Sequence, residues 1–267
     1  MTKTFKLWLI FFGIGFMSAC NGAENKGNLQ LKMPDNLREI SGLTALEDNS
    51  LLAIADEEAR IYQIDMTAGV IRKFMTLGKP AAKGDFEGIA VLNGSVYLVT
   101  SQGTHWRKAL EASEAHHEVI PTDAGGYCEI EGLAAWHEKD SLLLLCKSIY
   151  NDNFKGALLV LRWSENEPEV PTEVFLAKTY TELGIKKLHP SGLAFSANRD
   201  KLFIVAARQK AFIEISLQGS VVRHGKLPKG AGHRQTEGVA ITHDNKLYLA
   251  DEGGKGKGKL TEYARNF

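Results

Sequence analysis

The chain has 267 residues, with 32 Lys+Arg balanced by 32 Asp+Glu, so a whole-protein basic field for gathering nucleic acid is excluded. Hydrophobic residues make up 44%, with 26 glycines and only 7 prolines, which excludes a disordered chain and indicates a turn-rich globule. The length admits one large all-β domain or two small ones.

The chain opens on an export signal. Lys3 and Lys6 precede an apolar run from Leu7 to Met17 that is too short to span a membrane. The closing Met17-Ser18-Ala19-Cys20 resembles the lipobox of bacterial lipoproteins, which implies cleavage before Cys20 and a diacylglycerol on its sulfur. Residues 1–19 are thus expected to be a signal peptide and 20–27 a tether. Asn21, not Asp, follows the cysteine, which in a Gram-negative host implies the outer membrane.

From residue 28 to 267 the sequence repeats. Five segments read alike: Glu39-Ile-Ser-Gly-Leu43, Asp85-Phe-Glu-Gly-Ile89, Glu129-Ile-Glu-Gly-Leu133, His189-Pro-Ser-Gly-Leu193 and Gln235-Thr-Glu-Gly-Val239. Their glycines lie 46, 44, 60 and 46 residues apart. Each opens a short apolar segment, then a polar turn, then a β-like run: Leu51–Ala55, Val96–Thr100, Leu142–Cys146, Leu202–Ala206 and Leu247–Ala250. Third strands read at Ile61–Ile64, Leu158–Arg162 and Phe212–Ile215, and fourth strands at Val70–Phe74, Val174–Ala177 and Val221–His224. The stretch Trp106–Ala115 shows no clear strand pattern, and its alanines and glutamates also allow a helical turn. The longest interval is assigned to loops, notably Thr179–His189.

Periods of forty to fifty residues with several short strands each predict an all-β, five-bladed β-propeller. A six-bladed alternative needs another blade inside the 60-residue interval, which is too short. The 29 residues after Gly238 supply three strands, and the segment beginning Asn28-Leu-Gln-Leu-Lys32 supplies a fourth. The N-terminal strand is therefore expected to close the ring as the outer strand of the last blade, which hides sheet edges.

In such a fold the start of each inner strand and the end of the second strand meet around one mouth. The residue before each repeat glycine is Ser41, Glu87, Glu131, Ser191 or Glu237, and strand alternation is expected to put Glu39, Asp85, Glu129, His189 and Gln235 on the same side. Glu39, Asp85, Glu87, Glu129, Glu131 and Glu237 are the candidate metal ligands, with Asp56, Glu57, Asp251 and Glu252 as a second acidic rim. Converging carboxylates raise one another's pKa unless a cation neutralises them, and hard oxygen donors suit calcium. Lys147, Arg208 and His189, in the third and fourth repeats, are candidates to hold an anionic group. The alternative for any single column residue is a bond that locks neighbouring blades.

Other features carry less. His105, His116 and His117 invite zinc, but adjacent histidines on a strand face opposite ways. There is neither a Gly-x-Ser-x-Gly elbow nor a Walker spacing in Gly253–Lys259. Trp136 and Trp163 read as packing residues. Cys128 and Cys146 are expected to be two buried thiols, because an even register from a turn at Glu138-Lys139 places Cys146 opposite Glu131.

The runs Leu37-Arg-Glu-Ile-Ser-Gly-Leu-Thr44, Phe86-Glu-Gly, Ile130-Glu-Gly and Gln235-Thr-Glu-Gly-Val-Ala240 with Leu247-Tyr-Leu249 resemble the SdiA-regulated family, over about Leu29 to Phe267. The resemblance implies a membrane-associated propeller near those described as having esterase-like activity of phytase, with calcium as a ligand and no established activity. The chain departs from the family at Asp251-Glu-Gly-Gly254, where Ser-Glu-Pro-Asn is usual. Three readings follow. One is a lipid-anchored envelope module that binds a divalent cation and a small ligand or protein partner at the acidic mouth. Another is a metal-assisted phosphoesterase or esterase using Glu87, Glu131 or Glu237 as general base. The third is a non-catalytic envelope scaffold.

Overall fold

The computed structural model describes residues 29–112, 116–154, 156–166, 174–177 and 188–264. The expected signal peptide, the tether and Cys20 lie outside these residues, as does nearly all of the loop assigned to Thr179–His189. Among the described residues no helix is long and apolar enough to cross a membrane.

Twenty strands form five four-stranded antiparallel sheets. Blade one holds β2 (Ile40–Ala45), β3 (Leu51–Ala55), β4 (Arg60–Asp65) and β5 (Val70–Thr76). Blade two holds β6 (Phe86–Leu92), β7 (Ser95–Thr100), β8 (His105–Ala109) and β9 (Glu118–Ile120). Blade three holds β10 (Cys128–Trp136), β11 (Ser141–Ile149), β12 (Leu158–Trp163) and β13 (Val174–Ala177). Blade four holds β14 (Gly192–Phe195), β15 (Lys201–Ala206), β16 (Ala211–Ser216) and β17 (Val221–Lys226). Blade five joins β18 (Thr236–Ile241), β19 (Lys246–Asp251) and β20 (Lys259–Ala264) to β1 (Leu29–Lys32), the first strand of the chain. The inner strands β2, β6, β10, β14 and β18 touch in that order, and β18 returns to β2. The ring closes as expected, through Leu29 opposite Glu262 and Lys32 opposite Lys259.

Burial explains the sequence pattern. Inner and second strands are covered on both faces and read as unbroken apolar runs, such as Leu142–Cys146, buried throughout. Outer strands alternate, as in Val221–Lys226. Five apolar clusters fill the five seams between adjacent blades. Leu144 and Leu145, neighbours on β11, belong to different seams, so truncation of either to Ala costs about 2–5 kcal/mol in its own seam.

One ambiguity resolves and one expectation is corrected. The front of Trp106–Ala115 is strand, not a helical turn. Trp106 meets the Phe86 ring edge-on at 5.8 Å and stacks on His117 at 5.3 Å, so packing and ladder bonds override local helix propensity. Cys128 and Cys146 form a disulfide, with Cα atoms 5.5 Å apart. The even register fails because β10 and β11 carry two irregularities, which set Cys146 opposite Ile130 instead of Glu131.

The repeat glycines close the hub. A Cβ on Gly88 would lie 2.6 Å from the Leu133 nitrogen, and one on Gly192 would lie 2.1 Å from the Glu237 carbonyl oxygen. A void of about 10 Å³ lies at this waist, where the close approach of the inner strands narrows the channel between its two mouths.

Candidate acidic mouth

The residue before each repeat glycine is an extra residue in its ladder. Ile40 pairs with Ala55 and Gly42 with Ile54, leaving Ser41 unpaired, and the same break sets off Glu87 and Glu237. In blade three the register shifts between Ile130 and Leu133, which sets off Glu131. In blade four Ser191 N–H and Gly192 both meet Val205. Each is therefore a β-bulge, which re-aims its side chain out of the alternating pattern. Alternation, the expected cause of the column, is not what gathers these residues.

The bulge residues serve two purposes. Where serine stands, it latches blades: Ser41 Oγ donates to the Phe86 carbonyl at 2.6 Å, and Ser191 Oγ to the Thr236 carbonyl at 2.8 Å. Where glutamate stands, charge is gathered. Burial pushes the Glu87 carboxyl up to about 9, helped by the charges of Glu131, Asp85 and Glu237 and opposed by Lys147. Glu131 is 5% exposed, and burial raises it to about 7 even though Lys147 Nζ bonds it directly. Lys147 also lies 3.6 Å from Glu129. Glu252 is pushed up to about 9 by burial, then by a hydrogen bond with and the charge of Glu237, then by Asp56 and Glu39. Asp56 is raised by burial and then by Glu39, Glu57 and Asp85. Gln235, missed as a site residue, bridges Glu237 at 3.2 Å and Glu252 at 2.5 Å through its amide nitrogen.

Glu39, Asp56, Glu57, Asp85, Glu87, Glu129, Glu131, Glu237 and Glu252 lie close enough at this mouth to act on one another's carboxyls. Asp251 is corrected. It is buried inside blade five, with Oδ2 2.7 Å from His233 Nδ1 and Oδ1 accepting from Thr236 Oγ1 at 2.8 Å. His233 Nε2 in turn lies 2.8 Å from the Tyr263 hydroxyl, so this is an internal network, not rim. Lys147 is held by two glutamates, which removes it as a ready anchor for an anion. Arg208 is exposed just past β15, and the His189 backbone N–H donates to Gln209 Oε1 at 3.2 Å. The three histidines do not assemble: His105 is fully buried against Trp163 at 4.5 Å, while His117 stacks on Trp106.

The donor set around the mouth is all oxygen, the chemistry calcium takes. Among the described residues no three carboxylate, imidazole or thiolate groups converge closely enough to ligate one metal ion. The mouth is a cluster of acidic groups, two of which hold their protons at neutral pH, rather than a finished cage.

The opposite mouth is larger. A cavity of about 810 Å³ is lined by the far ends of all five inner strands and the turns after them, including His137, Arg199 and His243. The sequence reading missed it. The available signal was the column just past each inner strand, which was not compared across repeats.

Among known proteins, the SdiA-regulated family model matches residues 175–260. No curated protein matches the sequence. Solved structures share the fold. The PQQ-bound aldose sugar dehydrogenase of Streptomyces coelicolor superposes with a TM-score of 0.58 at 16% identity, over 89% of this chain and 97% of that one. The glutaminyl cyclase of Myxococcus xanthus gives 0.59 at 12%, over 88% and 94%. The gluconolactonase XC5397 of Xanthomonas campestris gives 0.52 at 12%, over 88% and 78%. Such low identities establish architecture alone. The chain is a five-bladed β-propeller that carries the SdiA-regulated family match across residues 175–260.

Proposed function

We propose that the protein is a membrane-anchored binding propeller of the bacterial cell envelope. Its acidic mouth takes a divalent cation, calcium first, and with it a small ligand or a protein partner. The observation that carries this reading is the bulge column: Glu87, Glu131 and Glu237 are set off from their ladders and act on one another's carboxyls, with Lys147 as a cation beside them. Leaving such charge together is costly unless a positive ligand offsets it. Calcium is preferred because it accepts oxygen donors in loose geometry with water completing the shell, which suits carboxylates spread around a rim. The disulfide supports an oxidising compartment, the one that the export signal and Cys20 imply.

Thermal unfolding of the full chain in saturating calcium and then in chelator tests it. The midpoint is expected to rise by several degrees with calcium, since a ligand of the native state stabilises by mass action. An unchanged midpoint removes the cation.

A hydrolytic reading is favoured by one feature. Glu131, raised to about 7, has the poise a general base needs near neutral pH. A phosphatase and esterase panel on the wild type and on Glu131→Gln decides it. Loss of about a hundredfold in the variant supports the base, and equal activity on every accepted substrate dismisses it.

A further inference from the structure

We propose that the second mouth is an acyl-chain site, which takes a single-chain amphipath with an uncharged or zwitterionic head. This inference is separate from the cation reading and concerns the opposite face of the disc.

The cavity there holds about 810 Å³, within the range of small-molecule sites. Its wall mixes apolar side chains at the ends of the inner strands, among them Leu43, Leu193 and Phe195, each largely buried in a seam, with the polar Thr44, Ser196 and Thr242. The apolar edges left open contribute roughly 25 cal/mol per Å² when a hydrocarbon chain covers them. Ionisable groups stand only among the turn residues at the rim. Glu47 and Asp48 come from blade one, His137 from blade three, Arg199 from blade four and His243 from blade five. Arg199 is already engaged, with Nε 2.9 Å from Glu138 and its guanidinium 4.6 Å over the Phe195 ring. The two acids sit together on blade one and Arg199 on blade four, so the rim carries both signs on separate sides, which suits a zwitterionic head better than a strong anion or cation.

Chain direction adds an independent argument. β20 runs from the acidic face to the cavity face, and β1 pairs antiparallel to it with Leu29 opposite Glu262. The chain therefore enters β1 from the cavity face. Cys20 precedes Leu29 by nine residues, a reach of about 30 Å at full extension. A lipid on Cys20 would have the cavity side of the disc within reach. Two outer strands that start on that side begin with exposed apolar residues, Leu29 at 44% exposure and Val70 at 48%, and Val222 at 48% stands second in a third.

The source of the chain is either the lipid on Cys20 or a free amphipath, and the experiment separates them. The full chain with Cys20→Ser is titrated by calorimetry with dodecylphosphocholine below its micelle concentration, beside wild-type protein purified from membranes. The Cys20→Ser protein is expected to bind one molecule per chain with a micromolar Kd, and phosphocholine alone is expected not to bind. Ala45→Trp, which fills the cavity but also presses on the seam between blades one and five, and Thr44→Asp, which puts a charge on its wall, should each weaken binding at least about tenfold; the unliganded melting midpoint should hold in Thr44→Asp and fall in Ala45→Trp. Wild-type protein that carries acyl groups and refuses the probe assigns the site to its own lipid. Wild-type protein that binds as Cys20→Ser does assigns it to a free amphipath. Three results overturn the proposal: no saturable binding up to about 1 mM, equal binding of phosphocholine alone, or undiminished binding in both wall variants.

Discussion

The same five inner strands build both mouths of the channel, yet one end gathers buried acid and the other aliphatic side chains. The difference lies in the backbone. At the entry end each inner strand carries a bulge before its glycine, so a side chain leaves the alternating ladder and turns toward the axis. At the exit end the ladders are regular, as in Ala45 opposite Leu51 and Ile241 opposite Leu247, and the apolar pattern of the strands simply runs out into the cavity wall. One repeated motif can therefore serve blade-locking with serine, charge-gathering with glutamate and close approach with glycine, while the far end stays free to bind apolar matter.

The partition depends on the glycine waist, and breaking it should have the largest effect. Gly192→Ala pushes a methyl to 2.1 Å from the Glu237 carbonyl oxygen, in backbone that cannot yield without opening the seam between blades four and five. Urea unfolding of this variant is expected to show a loss of about 3 kcal/mol or more. A loss below about 1 kcal/mol would mean that the hub is looser than the packing indicates.

Next in size is the disulfide, which lies on the acidic side of blade three. Replacing Cys128 and Cys146 by Ser together is expected to cost about 2–4 kcal/mol. The damage should stay on that side. Any calcium shift should shrink, because β11 also carries Lys147 beside Glu131, while dodecylphosphocholine affinity at the far mouth should hold within about twofold. Equal loss at both mouths would contradict their independence.

Much of this was legible in residues. The five repeats, the closing strand Leu29–Lys32 and the acidic gathering follow from spacing and from the fact that inner and second strands share a mouth. The bulges were not legible, because an extra residue leaves the apolar period of a strand nearly unchanged. That one omission accounts for the misplaced Cys146. Asp251 failed for a different reason. It sits where the returning strand of blade five ends, but His233 and Thr236 offer it buried partners that are distant in sequence from any motif. The apolar mouth was overlooked because its wall residues look like ordinary core until the turns that follow them are compared.

The smallest expected effect probes the acidic mouth directly through pH. Glu87 at about 9, Glu252 at about 9 and Glu131 at about 7 all hold their protons in the folded state at pH values where an unfolded carboxyl has lost its own. The folded state then binds more protons than the unfolded one, so the contribution of these groups to stability is greatest below the unfolded value of 4.5 and falls as pH rises from there through 7 and 9. Glu87→Gln keeps the shape of the protonated side chain and cannot ionise. Its stability relative to wild type should be nearly unchanged at pH 4.5 and should favour the variant at pH 8.5, by on the order of 1 kcal/mol once solvent screening is allowed for. Comparing the two proteins at each pH cancels the titration of groups outside the acidic mouth. Saturating calcium should shrink the difference at pH 8.5 if the cation enters the mouth, because a positive ligand relieves the repulsion that the substitution removes. A difference that is the same at both pH values would show that the Glu87 carboxyl is not raised in the folded state, and that neither its burial nor the neighbouring acids hold its proton.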